Sequence, residues 1–231
     1  MKVKSLSLPA IITLATLKEG KGKSSLAGSL ALHWRQHQET PALIDVDNDP
    51  AAPQSTGPLA GLTVKANPTE SIGTLARRVG KRRRPVIIDT RGEPNRATME
   101  ALAASDLALV PVEPTAQGVK FALQTWHLVR EINATRERAE RPITIRFVLM
   151  ATQAALAITH HIRQELQLAG FKVLDTEIAH LSELSEIARA NSVPHGSSAQ
   201  SDIAHVAQEL EKLDFKTEPP RLDVGPRAMV K

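Results

Sequence analysis

The sequence predicts an α/β protein: a doubly wound, mostly parallel sheet with helices on both faces. Three observations carry that expectation. Short apolar runs bounded by turn residues alternate with helical patterns along most of the chain. Several of these runs end in acidic residues, and a Gly/Lys-rich turn joins the first of them to the first helical pattern. With 231 residues, 42% of them hydrophobic, the chain suits one domain with a substantial core. We expect that domain over residues 1–215, followed by a disordered tail over 216–231, where three prolines and mixed charges replace the apolar pattern.

The elements follow in order. Ala10-Ile11-Ile12-Thr13-Leu14-Ala15 reads as a buried strand, and Leu26, Leu30, Leu32 and Trp34 give a helix ending near His37. A second strand, Ala42 to Asp47, starts apolar and ends acidic. Residues 48–60 read as a loop, Leu62 to Lys65 as a short strand, and a helix begins around Thr69-Glu70. Pro85-Val86-Ile87-Ile88-Asp89 is a fully apolar strand that delivers a carboxylate at its end. After a further strand segment, Leu102 to Thr115, a long amphipathic helix runs roughly from Ala116 to Ala134, with Trp126 expected in the core. A strand at Ile143 to Met150, a helix at Ile158 to Ala169, a last strand at Gly170 to Leu174 and a last helix at about Ala199 to Leu213 complete the pattern.

Composition removes several functions. The absence of cysteine excludes a disulfide framework, a thiolate zinc site and an iron–sulfur cluster. No apolar run approaches the roughly 20 residues of a membrane span, and the short segment after the basic N-terminus is strand-like, so no signal peptide is expected. The net charge of +4 favours an anionic partner only weakly. His160 and His161 are adjacent, so on a helix they point about 100° apart and cannot make an i,i+4 metal pair.

The stretch Leu17-Lys18-Glu19-Gly20-Lys21-Gly22-Lys23-Ser24-Ser25 carries the chemistry. A glycine-rich turn between a strand and a helix lets backbone N–H groups converge on an anion, and the helix N-terminus adds partial positive charge. Lys23 has the spacing to reach β- and γ-phosphates, and the Ser24 hydroxyl to sit on magnesium. The leading glycine of the common phosphate-loop pattern would fall at Leu17, which does not match. A second lysine, Lys18, stands five residues before Lys23 instead. A further feature is Arg77, Arg78, Lys81, Arg82, Arg83 and Arg84, six basic residues in eight. This run reads either as a solvated helix end favoured by the dipole or as a footprint for nucleic acid or another acidic partner.

The phosphate turn resembles the deviant Walker motif of the ParA/MinD family of ATPases, K-G-G-x-G-K-[ST]-[ST]. Asp45 and Asp47 match that family's Asp-x-Asp-Pro-Gln element, with Asn48 and Asp49 in place of Pro and Gln. Asp89 matches a Walker B carboxylate, and Ala104-Ser105-Asp106-Leu107-Ala108-Leu109-Val110-Pro111-Val112-Glu113-Pro114-Thr115 is similar to the family's Ala-Asp-Leu-Val-Leu-Val-Pro-Val-x-Pro-[Ser/Thr] strand. The resemblance covers roughly residues 9 to 213.

It implies a cytoplasmic, nucleoid-associated ATPase that binds ATP and Mg2+, forms a nucleotide-sandwich homodimer and binds DNA nonspecifically in that state. Hydrolysis would be slow and stimulated by an adaptor DNA-binding protein, and the cycle would segregate plasmid or chromosomal DNA. Glu19, Gly20, Lys21, Gly22, Lys23, Ser24, Ser25 and Pro114 would line the nucleotide. Lys18 would reach across the dimer, Asp47 would orient the attacking water, and Ser24, Asp47 and Asp89 would serve the metal. The DNA contacts would come from the 77–84 run together with Arg163, Lys172, Arg189 and Lys212. The tail lacks the apolar face of a membrane-anchoring helix, so no membrane role is expected. Alternatives are a positioning or conjugation-associated ATPase acting on another cargo, and a nucleotide-binding scaffold that has lost hydrolysis.

Two departures bear on activity. Ala151-Thr152-Gln153 stand where family members often place an adenine-contacting Asn or Arg, which leaves base selectivity open. Glu19 stands where the family has Gly, adding bulk and negative charge beside phosphates. Glu19→Gly is expected to raise ATP turnover; equal rates for the two proteins in a side-by-side assay would refute this.

Overall fold

The computed structural model describes residues 10–17, 22–46, 59–67, 69–135, 141–150, 157–179, 182–184 and 197–213. Seven strands form one sheet: β1 (Ile11–Leu14), β2 (Ala42–Asp45), β3 (Thr63–Lys65), β4 (Val86–Asp89), β5 (Leu107–Val112), β6 (Thr144–Met150) and β7 (Val173–Ile178). Their order is β3-β2-β4-β1-β5-β6-β7, and every pairing is parallel. The helices are α1 (Lys23–Gln36), α2 (Ile72–Gly80), α3 (Arg96–Ala104), α4 (Ala116–Asn133), α5 (Ala157–Leu168) and α6 (Ser198–Glu211). The doubly wound architecture is thus observed, with a sheet that is wholly parallel rather than mostly so. The expected tail over 216–231 lies outside the described residues.

Side-chain alternation along the strands divides the core in two. Ile12, Leu14, Leu43, Ile87, Leu107, Leu109 and Val148 pack against Leu26, Leu30 and Trp34 of α1 and Ile203, Val206 and Leu210 of α6. On the other face, Ile11, Ile44, Val86 and Ile88 meet α2 and α3, while Val110, Phe147 and Leu149 meet α4 and α5. Strand β4 is buried along its whole length, as its run of β-branched residues requires of a central parallel strand. Each such buried aliphatic side chain contributes about 1.5–3 kcal/mol. Trp34 Nε1 donates to Glu211 Oε1 at 3.0 Å, tying α1 to α6. Among the described residues no helix is long and apolar enough to cross a membrane.

Three elements differ from the sequence reading. Helix α3 takes in Leu102 to Ala104, which the sequence pattern groups with the strand that follows; Asn95 caps this helix, accepting from the Thr98 N–H at 2.9 Å. Gly170, placed by sequence in the last strand, instead ends α5. Its φ of 87° is left-handed, Gly170 N–H reaches the Gln167 carbonyl and Phe171 N–H the Leu166 carbonyl, the paired bonds of a Schellman cap. Strand β7 therefore starts later and runs through Thr176-Glu177-Ile178. Trp126 is half-buried, not a full core residue; it packs near Phe171 and under the Arg130 guanidinium, 4.6 Å from the ring centre.

The turn from β5 into α4 is closely packed. Thr115 caps α4 by accepting from the Gly118 N–H at 3.0 Å. A Cβ at Gly118 would run into the backbone carbonyl of Glu113 well inside contact distance. Gly118→Ala must displace that backbone, and a cost of about 1–3 kcal/mol is expected. A melting temperature lowered by several degrees checks this; an unchanged one would refute it.

Candidate functional site

The carboxyl ends of the central strands converge at the start of α1. Leu14 of β1 is in register with Asp89 of β4, and Asp89 with Asp45 of β2. Leu43 and Ile87 face α1, so Asp45 and Asp89, each two residues further on, project to that same face. Lys23 opens α1 there with only 5% exposure, and Asp45 and Asp89 are exposed by 2% and 3%. A buried ammonium requires opposite charge nearby. Asp45 and Asp89 are the buried carboxylates among the described residues, and all three residues are engaged in interactions.

The helix start itself attracts anions. Gly22 at the N-cap supplies no side-chain cap, and the first turn of α1 contains no acidic residue. The dipole at this helix start favours negative charge. Ser24 is exposed at the second helical position and Ser25 half-buried at the third.

Hydroxyl groups hold the strand ends that frame this corner. Thr90 Oγ1, just past β4, donates to the Leu14 carbonyl at 2.8 Å. Thr125 of α4, fully buried, accepts from the Leu17 N–H at 3.3 Å while donating to the Phe121 carbonyl at 2.8 Å. In β1, Thr13 shares a very short hydrogen bond with Ser105, and both hydroxyls reach the Ala101 carbonyl. Pro114, half-buried, lies beyond the carboxyl end of β5, the strand next to β1.

Of the sequence candidates, Gly22, Lys23, Ser24, Ser25, Asp89 and Pro114 thus lie along the same carboxyl edge of the sheet. Lys18, Glu19, Gly20, Lys21, Asp47 and Arg189 lie outside the described residues. The basic residues are elsewhere. The 77–84 run closes α2 and leads into the amino end of β4, one strand length, about 13 Å, from Asp89. Arg163 is not available as a surface cation: its guanidinium bonds Glu177 at 2.8 Å and the Leu174 carbonyl at 2.6 Å. Lys172 and Lys212 do come together, lining an open cleft of about 510 Å³ with the buried Arg146.

Sequence reasoning gave Asp45 no role and did not single out Thr90 or Thr125. Asp45 had a readable signal, since it ends an apolar strand. The threonines had none, because their partners are 76 and 108 residues away.

The oxygen donors fit a hard cation. Asp89 Oδ1 is enclosed without a hydrogen bond, the residue being otherwise engaged, and Ser24 offers a hydroxyl one residue after Lys23. No group of three or more His, Cys, Asp or Glu side chains forms a metal cage among the described residues. Such a corner suits magnesium, which is usually held by one or two carboxylates plus phosphates and water.

This architecture is the P-loop fold of ParA- and MinD-type proteins. The cell division ATPase MinD of Pyrococcus furiosus superposes with a TM-score of 0.66 at 14% identity, over 88% of this chain and 99% of its own. A ParA family ATPase from Chlorobium tepidum gives 0.61 at 14%, over 87% and 98%. The ATP complex of a single-residue variant of McdA from Cyanothece gives 0.63 at 12%, over 87% and 95%. No family model matches the sequence, and none of the curated proteins does.

Thr125→Val keeps the shape of the side chain and removes the bond to Leu17. Nucleotide affinity is expected to fall roughly 3- to 10-fold, the value of one hydrogen bond, as read by titration with a fluorescent ATP analogue. Affinity within about twofold of the parent would show that this bond does not order the loop.

Proposed function

We propose that this chain is an ATP- and magnesium-binding ATPase that dimerises on nucleotide and acts as a DNA-binding switch in segregating or positioning DNA. The observation that supports it most directly is the corner formed by buried Lys23, Asp45 and Asp89 at the start of α1, whose first turn holds no acidic residue. Its fold is shared with a cell division ATPase, a ParA family ATPase and a protein solved as an ATP complex.

In this reading Lys23 holds the β- and γ-phosphates, the N–H groups of Gly22 to Ser25 cradle them, and Pro114 borders the nucleotide. Ser24, Asp47 and Asp89 serve the magnesium ion, which supplies charge neutralisation on the phosphoryl oxygens. Asp47 orients the attacking water. Phosphoryl transfer depends chiefly on positioning and positive charge, so Lys18 donated by the partner subunit makes turnover depend on dimerisation. An adaptor DNA-binding protein stimulates hydrolysis, and the protein works in the cytoplasm on nucleoid DNA. Arg77, Arg78, Lys81, Arg82, Arg83, Arg84, Lys172, Arg189 and Lys212 are the cations proposed for the DNA backbone, contacts that weaken with salt. A second reading, a nucleotide-binding scaffold without turnover, is favoured by Glu19 in the phosphate turn.

Electrophoretic shifts on random duplex with no nucleotide, ADP, or ATP plus magnesium test the switch. Binding should tighten with ATP and magnesium, and Lys18→Ala and Lys23→Ala should each remove that increment. Binding that ignores nucleotide in the parent protein would refute the switch.

A further inference from the structure

We infer that duplex DNA docks on the amino edge of the sheet, at the hydrogen-bonded turn Lys81-Arg82-Arg83-Arg84, facing away from the nucleotide corner. Each protomer then carries nucleotide and DNA on opposite edges. The inference rests on the proposed nucleotide-bound dimer in one respect only: if two protomers close over nucleotide at their carboxyl edges, their amino edges point apart and the dimer bridges two duplexes.

The turn is built, not a loose charge run. The backbone N–H groups of Arg82 and Arg83 both donate to the Val79 carbonyl, at 3.0 and 3.1 Å, wrapping the chain around the end of α2. Arg83 Nη2 donates to the Gly61 carbonyl at 2.8 Å, and Arg84 Nε to the Gly80 carbonyl at 3.2 Å. Each guanidinium is thus oriented by one bond and keeps its other N–H groups for an external acceptor. Lys81 and Arg82 are exposed. The neighbouring arginines are used differently: Arg78 forms a two-pronged pair with Glu70, and Arg77 lies back along α2 over Gly73. Glu39 precedes Thr40, whose backbone bridges to Arg84.

The chemistry favours a phosphate backbone. Arginine forks match phosphate oxygens, and oriented forks lose less entropy on binding. A membrane surface would call for apolar side chains beside the cations, yet the exposed large hydrophobics among the described residues are Met99, Ile158 and Leu168, none on this turn. A protein partner would call for a desolvated apolar or aromatic centre, which four consecutive cations do not offer.

The test uses the full chain, a fluorescent random duplex, and a second unrelated duplex on beads. Lys81→Glu/Arg82→Glu should weaken duplex binding at least about tenfold and lower the salt slope by about 2, near 0.9 per lost phosphate contact. Binding of a fluorescent ATP analogue should stay unchanged. Lys81→Gln/Arg82→Gln should give a smaller loss in the same direction, separating lost contacts from reversed charge. With ATP and magnesium the parent protein should draw the free duplex onto the beads, whereas Lys23→Ala should bind single duplexes at the nucleotide-free level without bridging. Unchanged duplex binding in the glutamate variant would overturn the docking edge, as would normal duplex binding with loss only of an acidic peptide or anionic vesicles. Failure of the parent to bind the ATP analogue would instead overturn the proposed function, while the duplex arm still judges the docking edge.

Discussion

Strand register is the constraint that brings two buried carboxylates to the face where α1 begins with the buried Lys23. Because Leu14, Asp89 and Asp45 lie side by side across β1, β4 and β2, the two carboxylates arrive on the face where α1 starts. A slip of one residue in either β2 or β4 would send its carboxylate to the opposite face. The apolar residues that prevent such a slip are the same ones that build the core: Leu43 and Ile87 face α1, Ile44 and Ile88 face α2 and α3. Core packing and site geometry therefore follow from one alternation.

The parallel topology also separates charge. All strands end at one edge, and the helices that return between them begin there, so that edge collects helix N-termini and their attraction for anions. The helices end at the other edge, where basic side chains stabilise exposed carbonyls. Arg77 and Arg78 lie in the last turn of α2, and Arg84 donates to the carbonyl of Gly80. Helix capping accounts for part of this density. The remaining cations at Lys81 and Arg82 give the amino edge a charge that the fold itself does not need.

The strand ends at the corner are held by contacts from distant elements. Thr90 holds β1 to β4, Thr125 reaches Leu17 from the middle of α4, and the closeness of Gly118 to Glu113 sets the turn that carries Pro114. The Leu17–Thr125 bond links the end of the β1 segment to α4, 108 residues on.

Local patterns along the chain were enough for the fold class, most element positions and the corner's principal groups. A strand such as Val86–Asp89 announces itself by composition, and Gly-Lys-Ser before an apolar pattern announces the start of a helix. The same patterns misplaced what depends on a few backbone hydrogen bonds, reading Gly170 as strand although a glycine just past a helical pattern signals a left-handed cap, and absorbing the end of α3 into a neighbouring strand. They also grouped Arg163 with the surface cations. The folded chain was needed to find Arg163 bonded to Glu177 and Leu174, Asp45 beside Asp89, and the 77–84 run on the edge away from Lys23. Those facts are distances between residues far apart in sequence, set by strand order and register, and no pattern along the chain encodes them.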